Sequence, residues 1–179
     1  MHIIQSGWTR NRLTYTLAFN ITQFFPSLNH YFLTRIIHKA GLNSYVVNFF
    51  SNCLIDRKTS YKWNSFLSPI FNINVGVGQV SALSSISSAL YLSPFLYILE
   101  KRLKNLKIPI SIISFVDNGL FISQNKSFNI SNSHLFCSYN IMTNLLDKFG
   151  LVVEHSKLKY FTFLGRKVCL TLPLLIYCP

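Results

Sequence analysis

The sequence predicts an α+β fold, a mixed or antiparallel sheet with helices packed on one face. Three observations predict it. Apolar residues recur at helical spacing in stretches that start near residues 28, 43, 81 and 131, bounded by capping residues or glycine. Runs rich in β-branched and aromatic residues lie between them, at "RLTYTLAFNI", "IPISIISFV", "LFIS", "LVVE" and "LKYFTF". The resulting order, β-α-α-β-α-ββ-α-β, lacks the strict alternation that builds a parallel sheet.

Each element has a local justification. Arg12–Ile21 reads as a buried strand. After the turn "FFPSLNH", Ser27 is the predicted N-cap of a helix over Leu28–Ala40 that Gly41 stops. Asn43 opens a second helix with "YVVNFFSNCLI" on its apolar side, and Arg57–Gln79 reads as strand, loop and strand with basic and aromatic residues interleaved. From Ser81 to Lys104 the pattern is helical, lined by Ala82, Ile86, Ala89, Leu90, Leu96 and Leu99, with a kink at Pro94. In "ISFVDNGLFIS" the Asn118-Gly119 pair signals a hairpin, because a type I′ turn needs φ > 0 at both central residues. Asp117 is then either turn chemistry or a carboxylate presented at a catalytic centre. Ser131 is predicted to cap a long helix ending at Gly150, with Leu135, Ile141, Leu145, Leu146 and Phe149 as its buried stripe. "LVVE" and "LKYFTF" close as short strands.

Composition bounds the function. Of 179 residues half are hydrophobic, which suits one domain or the larger part of one and argues against disorder. Lys+Arg 17 against Asp+Glu 5 leaves a net charge of +12, which expects a polyanion, nucleic acid or an anionic membrane surface. The acids are Asp56, Glu100, Asp117, Asp147 and Glu154, a scarcity that constrains any chemistry needing clustered carboxylates. Cys53, Cys137, Cys169 and Cys178 lack zinc-ligand spacing and read as thiols of a reducing compartment; the histidines form no ligand motif. "MHIIQSGWTR" has no apolar core of a signal peptide. "SALSSISSALYLSPFLYILE" mixes serine and proline into its apolar run, so it reads as a buried helix rather than a membrane span.

Four ordered stretches resemble a family. "LAFNITQFFPSLNH", "VGVGQVSALSSISSALYLSPF", "FVDNGLFIS" and "FGLVVEHSKLKYFTF" look like motifs A, B, C and D of a reverse transcriptase, of the non-LTR (LINE-like) retrotransposon type found in fungal genomes. The resemblance runs from about Trp8 to Phe163, and it implies an RNA-directed DNA polymerase palm. It also implies an RNA template, a DNA primer, deoxynucleotides, Mg²⁺ and no membrane or other small-molecule cofactor. Nucleotide addition of this kind uses two metal ions held by hard, charged oxygen ligands. The family therefore places one Asp at the end of the motif A strand and an Asp-Asp pair in the motif C turn.

Here the motif A position is Asn20 and the second motif C position is Asn118, which leaves Asp117 as the metal-ligand carboxylate. Losing one preorganised electrostatic group costs roughly 10²–10³ in rate, so the expectation is an inactive polymerase. By position in the motifs, Phe25 matches the family's aromatic steric gate, Gln79 the motif B glutamine near the nucleotide sugar, and Lys157 the motif D lysine near its phosphates. Read singly, these are a core aromatic, a loop amide and a solvated lysine. Val80 stands where motif B carries the glycine that lets backbone approach the nucleotide, and Ser85 where it carries a proline. With Asn20 and Asn118 these departures read as decay.

Residues 1–163 are thus expected to be a partial reverse transcriptase domain, motifs A to D, with fingers and thumb largely missing and no endonuclease. Residues 164–179 are a tail. Codons permitted for Phe163–Pro179, reread one base upstream, can spell F-S-R-S-E-G-V-F-N-P-P-P-L-D-L-L-S, which resembles the continuation of such elements, so the tail is expected to be out of frame. No address signal is present; a retroelement protein implies an intracellular, nuclear setting. The competing functions are a polymerase domain, a non-catalytic basic remnant that still binds nucleic acid, and a membrane-surface protein.

Overall fold

The computed structural model describes residues 13–78, 82–164 and 167–170. The chain begins with β1 (Leu13–Thr22), α1 (Phe24–Ser27), α2 (His30–Lys39) and α3 (Ser44–Leu54). Four two-residue strands follow: β2 (Lys58–Thr59), β3 (Lys62–Trp63), β4 (Phe66–Leu67) and β5 (Phe71–Asn72). Then come α4 (Ala82–Asn105), β6 (Ile110–Phe115), β7 (Asn118–Asn125) and α5 (Phe128–Lys148). The last elements are β8 (Val152–Val153), a 3₁₀ turn (His155–Lys157), β9 (Lys159–Leu164) and β10 (Lys167–Leu170). The chain divides into two compact units, one of β1 with the chain from Phe95 onward, the other Gln23–Pro94.

The first unit is an antiparallel sheet in the order β10-β9-β1-β7-β6, with β8 paired to the end of β1. β1 is its centre, and the sequence explains why. Alternation puts Tyr15, Leu17, Phe19 and Ile21 on one face, all buried, and Thr14 and Thr16 on the other, also buried. A strand apolar on one side and capped by hydroxyls on the other suits the middle of a sheet; the Thr16 hydroxyl donates to the Phe161 carbonyl at 3.4 Å. Helix α5 packs against β7, β1, β8 and β6, and the ring of Phe128 meets those of Tyr15 and Tyr160 at 5.7 and 6.3 Å.

The second unit holds α1 to α3, the short strands and the first part of α4. Backbone bonds tie the segment before α4 to the turn around α1: Val77 N–H donates to Phe25 and Gly76 N–H to Leu28, at 2.9 and 2.8 Å. Gly76 sits at φ +88°, and a Cβ there would lie 3.2 Å from the Pro26 carbonyl oxygen, so this close crossing requires glycine.

The predicted fold class holds, and several local expectations shift. Asn29, not Ser27, caps α2 by accepting from Phe32 N–H at 2.9 Å. Asn43 caps α3 as expected, and Gly41 follows α2 at φ +69°. Helix α5 starts at Phe128, so Ser131 lies inside it, fully buried. Its stripe is Leu135, Tyr139, Met142, Leu145 and Leu146, while Ile141 and Phe149 are only half-buried. In α4, of the predicted lining residues whose burial is described, only Leu99 is buried; Ile86 is 52 % exposed, and Ser84, Ser87, Ser88, Tyr91, Leu92, Phe95 and Leu103 are inside. The reason is local. Serines that bond their own helix, as Ser88 Oγ does to the Ser85 carbonyl at 2.7 Å, bury at little cost, so counting apolar residues picked the wrong face. The helix continues through Pro94.

The hairpin is real but its turn lies elsewhere. Phe115 pairs with Asn118, so the two-residue loop is Val116-Asp117, and Asn118-Gly119 opens β7. Val116 has φ +56° and Asp117 does not share the positive sign, the pattern of a type II′ rather than a type I′ turn. Gly119 is needed for another reason: it pairs with Phe19 across the ladder, and a Cβ there would collide with the Phe19 ring.

Two outcomes follow. Gly119→Ala must displace that ring and is expected to lower stability by about 1–3 kcal/mol, read as a lower midpoint in urea unfolding. Burial pushes the pKa of the Tyr160 hydroxyl up to about 12, from the ordinary tyrosine value of 10.0. Its raised folded pKa stabilises the protein below pH 10, and that stabilisation is lost as pH rises towards 12. Tyr160→Phe should therefore flatten the alkaline fall in stability, measured by circular dichroism across that window.

Candidate functional site

The site is built at one end of the two central strands. Asn20 lies near the end of β1 and pairs directly with Asn118, the first residue of β7. Asp117 precedes it in the strained turn, and the Asp117 carbonyl accepts Ile21 N–H at 2.8 Å, so the turn is stitched to β1. A β-branched residue at positive φ, as Val116 is, costs of order 1–3 kcal/mol and persists only where neighbours hold it. The Phe19–Gly119 packing and this ladder supply that hold.

Three sequence-predicted residues therefore converge: Asn20, Asp117 and Asn118. Their side chains form a closed ring of hydrogen bonds. Asn20 Nδ2 donates to Asp117 Oδ2 at 3.0 Å and to Asn118 Oδ1 at 3.1 Å. Asn118 Nδ2 donates to Asp117 Oδ1 at 2.9 Å. The orientation of the amides is dictated by the carboxylate, which only accepts, so an amide N–H must face each of its oxygens. Both oxygens of the single carboxylate thus already accept a donor, where a cation would otherwise bind. Among the described residues no group of three or more His, Cys, Asp or Glu gathers to hold a metal.

The other predicted residues that the structure describes lie in other elements. Lys157 is exposed in the 3₁₀ turn between β8 and β9. Phe25 belongs to the other unit, half-buried in α1 with its ring 5.5 Å from that of Phe24. Gln79 and Val80 lie outside the described residues, as does most of the tail. Ser85 is exposed in α4.

One residue escaped the sequence reading. Glu154 N–H donates to the Asn20 carbonyl at 2.8 Å, in register with the β1–β8 pairing. Its carboxylate accepts from Ser156 Oγ at 2.6 Å and Thr22 Oγ1 at 3.3 Å. The Ser156 hydroxyl first, then Thr22 and the charge of Lys157, hold its pKa below the ordinary glutamate value. The available signal was its place three residues before Lys157, the one acid of the motif D stretch. Nearby, Tyr139 Oη and His155 Nδ1 share a hydrogen bond of 2.9 Å that anchors the 3₁₀ turn to α5.

No protein-family model matches the sequence, and no curated protein matches it. Solved structures do. Telomerase from Candida tropicalis, in complex with a TWJ fragment of telomeric RNA, superposes with a TM-score of 0.66 at 18 % identity, over 90 % of this chain and 29 % of that one. Apo telomerase from the same organism, truncated from its C-terminal domain, gives 0.66 at 16 %, over 93 % and 35 %. Telomerase from Candida albicans with a TWJ fragment gives 0.63 at 15 %, over 90 % and 30 %. The chain spans about a third of these proteins. The fold is that of a reverse-transcriptase-like polymerase palm.

The amide ring has a thermodynamic consequence. Replacing Asn20→Asp and Asn118→Asp together exchanges charge-assisted hydrogen bonds for carboxylate repulsion. At about 1.5–3 kcal/mol per bond to a charged group, the double variant should melt clearly below wild type in EDTA. Mn²⁺ should restore its melting temperature by mass action while leaving wild type unmoved. Differential scanning calorimetry with and without Mn²⁺ reads both effects.

Proposed function

We propose that this chain is the palm of an RNA-directed DNA polymerase of the non-LTR retrotransposon type, that it no longer catalyses nucleotide addition, and that it binds nucleic acid. The observation that carries the reading is the ring at Asp117. Two-metal phosphoryl transfer needs clustered anionic oxygens to bind the ions and offset their charge. One carboxylate, with both oxygens accepting amide N–H groups, does not fit a pair of Mg²⁺ ions. Phe25, Gln79 and Lys157 match the family's residues at their motif positions, whereas Val80 replaces the motif B glycine.

Binding rests on charge. Seventeen cations face five acids, and Lys101, Arg102, Lys104 and Lys107 are all exposed around the end of α4. Among the described residues no helix is long and apolar enough to cross a membrane. An RNA template paired with a DNA primer is the natural polyanion for a palm of this descent.

The purified chain should bind RNA and DNA without base preference, with log K falling linearly against log salt. Fluorescence anisotropy across ionic strength checks this, and a flat dependence would remove the electrostatic basis. Primer-extension assays with Mg²⁺ or Mn²⁺ should give no template-directed product. Robust extension by the wild-type chain would overturn the inactive reading.

A further inference from the structure

Residues Arg57–Ile73 form a two-stranded ribbon that stands largely in solvent. Ile73 N–H donates to the Arg57 carbonyl and Ser68 N–H to that of Tyr61, both at 2.8 Å. Lys58 pairs with Asn72, Thr59 with Phe71, Lys62 with Leu67 and Trp63 with Phe66. Asn64, at φ +53°, makes the tip, a conformation that asparagine tolerates. The backbone is therefore an ordered platform.

Its side chains are unusual for one. Tyr61 is 66 % exposed, Trp63 77 % and Phe66 63 %. Tyr61 directly precedes β3 and prolongs its pairing through the Ser68 N–H bond to its carbonyl, so at two residues' spacing it shares a face with Trp63, and Phe66 lies opposite Trp63 on that same face. The ring of Phe71 packs 5.2 Å from Tyr61 and continues the row. Residues two apart in a strand are separated by roughly 6.8 Å, about twice the base spacing of a stacked strand. Every second base of a stacked strand thus finds a ring.

Charge selects the occupant. The ribbon carries Arg57, Lys58 and Lys62 and no acid. Lys58 and Lys62 are exposed, and their flexible stems reach round an edge only one strand pair wide. An apolar protein surface would satisfy the rings but leave the lysines without partners. A stacked, anionic strand satisfies both.

We infer that the ribbon Arg57–Ile73 is a binding surface for single-stranded RNA or DNA, with bases stacked on Tyr61 and Trp63 and phosphates met by Lys58 and Lys62. The inference rests on the nucleic-acid reading above and assigns it a second surface. It needs unpaired bases, which duplex does not present.

The chain has two tryptophans, so Trp8→Phe leaves Trp63 as the sole emitter. Short oligo(dT) and oligo(U) should quench that emission as they bind, and matched duplex should not. In the full chain, Trp63→Ala should weaken oligo(dT) binding by about 5- to 150-fold, the range of one lost base stack, and Tyr61→Ala should act in the same direction. Lys58→Gln with Lys62→Gln should lower the slope of log K against log salt. These residues are exposed, so unchanged circular dichroism is expected for every variant. If anisotropy reports binding while Trp63 emission and the Trp63→Ala affinity stay unchanged, the ribbon inference fails and the nucleic-acid reading survives. If no oligonucleotide or duplex binds, both fail. Concentration-dependent dimerisation abolished by Trp63→Ala, with oligonucleotide affinity intact, would show an interface between copies and overturn the inference.

Discussion

The pairing of β1 with β7 is the constraint on which the palm depends. It runs from Leu13–Asn125 to Asn20–Asn118 without a bulge, and the Phe19 ring lies over Gly119 one step before the end. Any side chain at residue 119 would have to displace that ring where the site is assembled. That contact brings Asn20 against the hairpin turn and holds Val116 in a conformation that an isolated peptide would leave. Burial of Phe19 and its ring contact with Phe121, at 5.2 Å, join the same point to the core.

Given that geometry, the chemistry of the end of the sheet is set by three side chains. Three carboxylates so placed would repel one another, and only bound cations would make the arrangement favourable. Two amides remove the repulsion and supply donors in the places that cations would take. Asn20, Asp117 and Asn118 thus form a network complete in itself, which helps to hold the strained turn.

The second unit answers a different demand. Its helices are capped conventionally, by Asn29 and Asn43, yet its ribbon exposes rings that a self-contained domain would bury. An exposed apolar patch on this scale marks an interaction surface. In a chain of net charge +12 with cations beside those rings, a partner that is both flat and anionic meets the two features together.

The sequence by itself determined the class of fold, the order of elements and the identity of the three residues at the site. Periodicity, caps and turn residues act over a few neighbouring positions, so a linear reading captures them; Asn43 and Gly41 show this. Two of the four motif stretches, those resembling A and C, singled out Asn20, Asp117 and Asn118 before any geometry was known. What lay beyond reach depended on partners distant in the chain. Whether Ser88 or Ile86 faces inward depends on what lies opposite α4, and Gly119 owes its position to Phe19 rather than to a turn. Glu154 gained its link to Asn20 only when β8 paired with β1. The hydrogen-bond ring at Asp117 joins residues 97 and 98 positions apart. Only the tertiary structure decided that the amides point at the carboxylate, because hydrogen bonds are directional and their directions are set by the register of strands that the sequence does not state.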